Sequence, residues 1–194
     1  MIGPTKTSAT QPIPVWQRVH ETAQGGFTLD KTGLTDGQDI PAGSPFGYNE
    51  GTRLARVIKQ ATMTRDAAGT DVDYWVKKGH NFAVGEYISS GIGGKAYAIT
   101  AIDTISDADE DKITVGTSLG AVLNGGVLFQ SSATGATAGA LIVTPRGLLY
   151  EDLTVETNKT LAVVIRGTVY ERQIPATLAG IKSLMPSIIY SQSF

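Results

Sequence analysis

The stretch GGFTLDKTGLTDGQDIPAGSPFGY, residues 25–48, decides the fold class. Its apolar side chains come in pieces two or three residues long, such as Phe27-Thr28-Leu29 and Phe46-Gly47-Tyr48. Gly, Asp and Pro stand between the pieces, where chain reversals fall. No run here is long enough for a helix, and nothing supplies a nucleotide loop or a catalytic constellation. The reading is tightly turned β-structure.

The same rhythm extends in both directions. Residues 52–64, TRLARVIKQATMT, fit a helical face through Leu54, Val57, Ile58 and Ala61, but the Val-Ile pair and the β context favour a strand. From residue 71 to 130 short apolar pieces end at Gly or acidic turns. Strands are expected around 74–76, 83–88 and 95–101, with Gly91, Gly93 and Gly94 connecting the last two. SSATGATAGA, residues 131–140, has too little large apolar area for a core and reads as a linker or loop. Strand candidates resume at 141–143, 148–150, 153–155, 161–165 and 168–174, separated by Pro145, Gly147, Asn158 and Gly167. Near the end PATLAGIKSLMP, residues 175–186, predicts one short helix, with Leu178, Ile181, Leu184 and Met185 on its apolar face.

The fold class expected is therefore mainly β: small barrel or sandwich units of short strands, with one short C-terminal helix. The division expected is an extended N-terminal arm at 1–14, a discontinuous β base domain at 15–63 and 141–194, and an inserted small β domain at 64–140. The arm owes its extension to prolines 4, 12 and 14, and Ile13, Val15 and Trp16 are its apolar anchors. Those anchors face either a partner or, for Trp16, the chain's own core.

Composition bounds the chemistry. The 194 residues carry a formal net charge of -2, and no Lys/Arg run interleaves with aromatics, so nucleic acid is not expected as a partner. There is no cysteine, hence no disulfide, thiolate ligand or cysteine nucleophile. No window approaches the roughly 18 apolar residues of a membrane span and no signal-peptide core is evident, so no membrane partner is expected and synthesis in a cytoplasm is the default.

Asp103, Asp107, Asp109, Glu110 and Asp111 form an acidic cluster in which 107, 109 and 111 have the spacing of the first ligands of a calcium loop. Lys112 stands where that loop needs Gly, and the twelfth position has no carboxylate; a solvated hairpin loop is the first reading and a calcium site the second. The two histidines, His20 and His80, fit no metal motif, and His80 after Lys77-Lys78-Gly79 reads as part of a charged turn. GIGGKAY, residues 91–97, lacks the Ser or Thr after lysine that a phosphate loop needs. With no GxSxG elbow either, the expectation is no enzyme, no catalytic residue, no metal and no cofactor.

Three phrases carry a resemblance: GGFTLD and IPAGSPFGY within 25–48, YWVKKGHNFAVGEYI at 74–88 with GKAYAITAID at 94–103, and AVVIRGTVYERQIP at 162–175. In this pattern the chain resembles the head decoration or head fibre proteins of tailed bacteriophages, those of Bacteroides phages and prophages in particular. The resemblance implies a structural virion protein on the phage head exterior. It would bind the major capsid protein, stabilise the shell or form a short projection, and assemble as a homo-oligomer, a homotrimer by family habit. In that role Ile13, Val15 and Trp16 are the capsid-binding candidates. The alternative is a module that binds a host-surface protein or glycan, with Tyr74, Trp75 and Tyr87 as the contacts.

Overall fold

The computed structural model describes residues 14–193. The first third of the chain forms β1 (Trp16–Thr22), β2 (Phe27–Leu29), β3 (Asp39–Ile40), β4 (Pro45–Asn49) and β5 (Leu54–Val57). The middle forms β6 (Gln60–Thr62), β7 (Asp73–Lys77), β8 (Tyr87–Ser89), β9 (Ala96–Asp103), β10 (Glu110–Val115) and β11 (Val127–Ser131). The last part forms β12 (Gly147–Leu149), β13 (Leu153–Thr154), β14 (Thr160–Leu161), β15 (Val163–Tyr170), a 3-10 turn at Glu171–Gln173, the helix α1 (Ala179–Lys182) and β16 (Ile188–Ser191). The protein is thus mainly β with one short helix.

Pairing sorts the strands by sequence region. The larger sheet runs β1-β15-β12-β4-β5-β2-β14, and β16 adds to β15 in parallel; every member comes from the first or last part of the chain. β3 and β13 make a separate small ladder between the same two parts. A six-stranded sheet, β6-β11-β8-β9-β10-β7, draws only on residues 60–131. Its two ends approach each other, since Met63 bridges Val76 and the Thr64 N–H donates to the Trp75 carbonyl at 3.0 Å.

Alternation explains the two faces. In β7 the pattern Asp73, Trp75, Lys77 outward and Tyr74, Val76 inward is the period of two that a half-buried strand requires. Tyr74, Val76, Ile88, Ile99, Ile113 and Leu128 fill the core of the six-stranded sheet. Phe27, Leu29, Phe46, Val57, Leu149 and Val163 fill the core of the larger one. A third cluster joins them: Ile58, between β5 and β6, and Phe129, in the middle of β11, pack with Leu148, Val164, Ile181 and Met185.

Several local expectations are corrected. Residues 52–64 form two strands, not one, because the chain changes sheets at Ile58-Lys59. Residues 83–86 turn ahead of β8, and 141–143 contribute only a bridge from Leu141 to Ser131. Gly167 is not a separator; it sits inside β15, where a Cβ would stand 2.8 Å from the Arg18 carbonyl of β1, so the close approach of the two backbones needs glycine. The helix has four residues, since Leu178 is still extended with ψ 134° and only the turn from Ala179 closes; Leu184, expected on its apolar face, is exposed.

Candidate functional site

The densest polar constellation lies where the chain passes between the sheets. Lys59 follows Ile58, a member of the third cluster, and is drawn under the surface with it, only 3% exposed. Its Nζ donates to the Gly33 carbonyl at 2.5 Å and to Glu86 Oε1 at 2.7 Å. The other carboxylate oxygen of Glu86 accepts the Ala83 N–H at 3.0 Å, which fixes the carboxylate. Burial lowers the Lys59 pKa, and the Glu86 carboxylate opposes that shift.

His80 lies on the segment between β7 and β8. Its Nδ1 accepts the Phe82 N–H at 3.0 Å, which places the proton of the neutral ring on Nε2. Nε2 stands 3.2 Å from Asp111 Oδ2, and Lys78 Nζ stands 3.3 Å from Asp111 Oδ1. Burial lowers the His80 pKa against the pull of Asp111, so the ring is neutral at pH 7. Asp111 is therefore not part of a solvated loop: it is buried and points inward from β10, where the period of two places it beside Ile113 and Val115.

Two further bonds tie the residue 60–131 unit to other parts of the chain, to β3 and to the residue ahead of the helix. Asn81, held at φ 60°, donates from Nδ2 to the Asp39 carbonyl at 2.9 Å, and Gln60 Oε1 accepts the Leu178 N–H at 2.9 Å. Between these ties lies a cavity of about 50 Å³ bordered by Ser44, Lys59, Gln60, His80 and Asn81. That volume holds a few waters at most. Lys59, with Glu86 and the Gly33 carbonyl, thus forms a latch across the junction, and the neutral His80 and Asp111 lie beside it within the residue 60–131 unit.

The acidic hairpin is ordered by its own bonds. Asp103 Oδ1 accepts the N–H groups of Ile105 and Ser106 at 3.0 and 3.1 Å, and the Ser106 hydroxyl donates to Oδ2. That hydroxyl first, then the two amides, holds the Asp103 pKa down at about 2. The Asp109 amide lowers that of Asp107. Arg65 bridges Asp107 at 3.0 Å and Glu110 at 2.7 Å. Among the described residues no group of three or more His, Cys, Asp or Glu side chains is placed to hold a metal ion.

Of the capsid-binding candidates, Ile13 lies outside the described residues. Val15 and Trp16 are half-buried against the chain's own third cluster, and the Trp16 indole N–H donates to the Tyr150 carbonyl at 2.6 Å. Of the three aromatics in the host-binding alternative, Tyr74 is corrected outright. It is wholly enclosed, and its hydroxyl accepts the Leu119 N–H at 2.8 Å and donates to the Asp71 carbonyl at 3.0 Å. Trp75 lies on the opposite face of β7, with the Arg65 guanidinium 4.0 Å above its ring and Lys112 Nζ 5.8 Å away. Tyr87 is half-buried on β8, opposite Ala98 and Ser131.

Sequence reasoning missed Lys59 and Glu86 altogether. The signal was a lysine inside the apolar run RVIKQATM, where a strand reading needs a carboxylate partner elsewhere in the chain. Comparison of the chain with family models, curated proteins and solved structures returned no match.

Proposed function

We propose that this chain is a structural, non-enzymatic virion protein that attaches to the exterior of a phage head, reinforcing the shell or forming a short projection. The observation that carries the reading is the open edge of β1. Among the described residues β1 pairs with β15 alone, most of its side chains are exposed, and it follows directly on the proline-rich residues 1–14. An unpaired strand edge is a ready template for main-chain pairing with another protein. Val15 and Trp16, packed on the body, root the segment, so the capsid contact falls to Ile13, its neighbours and the outer edge of β1.

In this reading the larger sheet is the base, and residues 64–140 are the bulk of an inserted unit that begins with β6. The approach of β6 to β7 favours a small barrel for that unit, and the buried latch holds it rigid on the base. The major capsid protein is the partner, and threefold symmetry follows from the resemblance to decoration and fibre proteins.

The test is co-sedimentation with purified capsids of the phage that carries the protein, comparing the full chain with a version lacking residues 1–14. Matching circular dichroism and light scattering establish that both are folded to the same state. Loss of capsid binding on truncation is expected. Equal binding by both sinks the arm, and no binding by the full chain sinks the capsid assignment. The host-binding alternative rests on Trp75, whose outward ring is already capped by Arg65. Binding to host cells that Trp75→Ala abolishes would favour it.

A further inference from the structure

The tip of the β9–β10 hairpin carries a large apolar side chain with nothing over it. Ile105 is 92% exposed, on a turn that the Asp103 bonds make rigid, and Lys78 Nζ fixes its base by donating to the Thr104 carbonyl at 2.7 Å. Carboxylates flank it: Asp107, shared with Arg65, and Asp109, which is exposed and has no ion pair among the described residues. A rigid apolar point between acidic groups is a knob shaped for a cleft of opposite charge.

Such a cleft exists on the same molecule. Between the Lys77–His80 segment and residues 172–176 lies an opening of about 490 Å³. Lys77 and Arg172, both exposed, line it from opposite sides, and neither has an ion pair among the described residues. Ile174, Pro175 and Ala176 supply an apolar wall. At its inner end Gln60 Nε2 is a buried donor without an acceptor among the described residues. The cleft therefore offers two free cations and an apolar surface, the complement of the tip.

We infer that the hairpin tip of one copy docks in this cleft of a second copy, with Ile105 against Pro175 and Ala176 and the Asp107 and Asp109 carboxylates toward Lys77 and Arg172. Knob and cleft adjoin each other, since Lys78 holds the base of the tip at the Thr104 carbonyl and also lines the cleft, so every copy presents both side by side and can both give and receive a tip. The interaction requires no capsid, and it stands or falls separately from the attachment proposed above.

The experiment is light scattering coupled to size exclusion on the full chain without capsids, from about 1 to 200 µM, at low and at high salt. An oligomer that weakens as salt rises is expected, since exposed charge pairs are screened over a Debye length of about 8 Å at physiological ionic strength. Ile105→Asp and the double substitution Lys77→Glu/Arg172→Glu should each weaken association at least tenfold while leaving circular dichroism and thermal midpoint unchanged. Adding Asp109→Lys to Lys77→Glu/Arg172→Glu should restore part of it, a recovery that mere surface damage would not give. A full chain that stays monomeric across the range, or an oligomer indifferent to both sets of substitutions, overturns the inference.

Discussion

His80 Nε2 and Asp111 Oδ2 stand 3.2 Å apart, each residue more than nine-tenths buried, with Lys78 on the far side of the carboxylate. Because burial depresses the His80 pKa below its ordinary 6.5, the unfolded chain binds the extra proton more readily than the folded one. Stability therefore rises with pH through this window and is lost as pH falls below about 6.5, with a slope of up to about 1.4 kcal/mol per pH unit. Urea midpoints at pH 7.5, 6.5 and 5.5 should fall in that order, and His80→Gln should flatten the trend. A wild-type midpoint constant over this range would contradict a neutral buried His80.

Lys59 and Glu86 make an asymmetric prediction. Lys59→Met strands the Glu86 carboxylate beside a carbonyl and should cost about 3–5 kcal/mol, the usual penalty for breaking a buried pair from one side. Lys59→Met/Glu86→Gln removes both charges and keeps an acceptor for the Ala83 N–H, so it should recover most of the loss. Equilibrium denaturation of the single and double variants measures the difference, and equal destabilisation would refute the latch.

The neighbours Tyr74 and Trp75 should behave oppositely. Tyr74→Phe removes the hydroxyl oxygen that receives the buried Leu119 N–H, at a cost of about 1–3 kcal/mol. Trp75→Ala loses a surface stacking partner of Arg65 and should cost about 1 kcal/mol or less. The same denaturation curves check both, and the order of the two effects is the discriminating result.

Gly147 begins β12, and a Cβ there would collide with the Val164 carbonyl and the Val163 side chain of β15. Gly147→Ala should destabilise by about 3 kcal/mol, near the upper end for overpacking, because backbone cannot yield as a side chain can. A thermal midpoint unchanged from wild type would contradict the close β12–β15 approach.

The β class was readable in residues 25–48 because turn residues and strand alternation are local properties. β7 was legible within a residue or two, since Tyr74 and Val76 face inward by simple period. Gly167 misled because its reason lies more than 140 residues away, in the carbonyl of Arg18. The helix was overestimated because periodicity located an apolar face but not the extended Leu178 ahead of it. The acidic cluster was read as one feature, yet the alternation of β10 turns Asp111 inward while Asp109, in the turn ahead of the strand, stays in solvent. His80 and Asp111 belong to different strands' surroundings, and Lys59 and Glu86 to different turns. No local pattern names such partners, although a lysine in an apolar run announces that one must exist.

The pairing order also governs how the chain acquires its structure during synthesis. Trp16 pairs with Val169 and Pro45 with Leu148, so the first strands leave the ribosome long before their partners do. Residues 60–131, in contrast, contain every strand of their own sheet. During synthesis this central block therefore has all its strand partners before β12, β14 and β15 emerge, whereas β1, β2 and β4 each lack a partner until those strands are made.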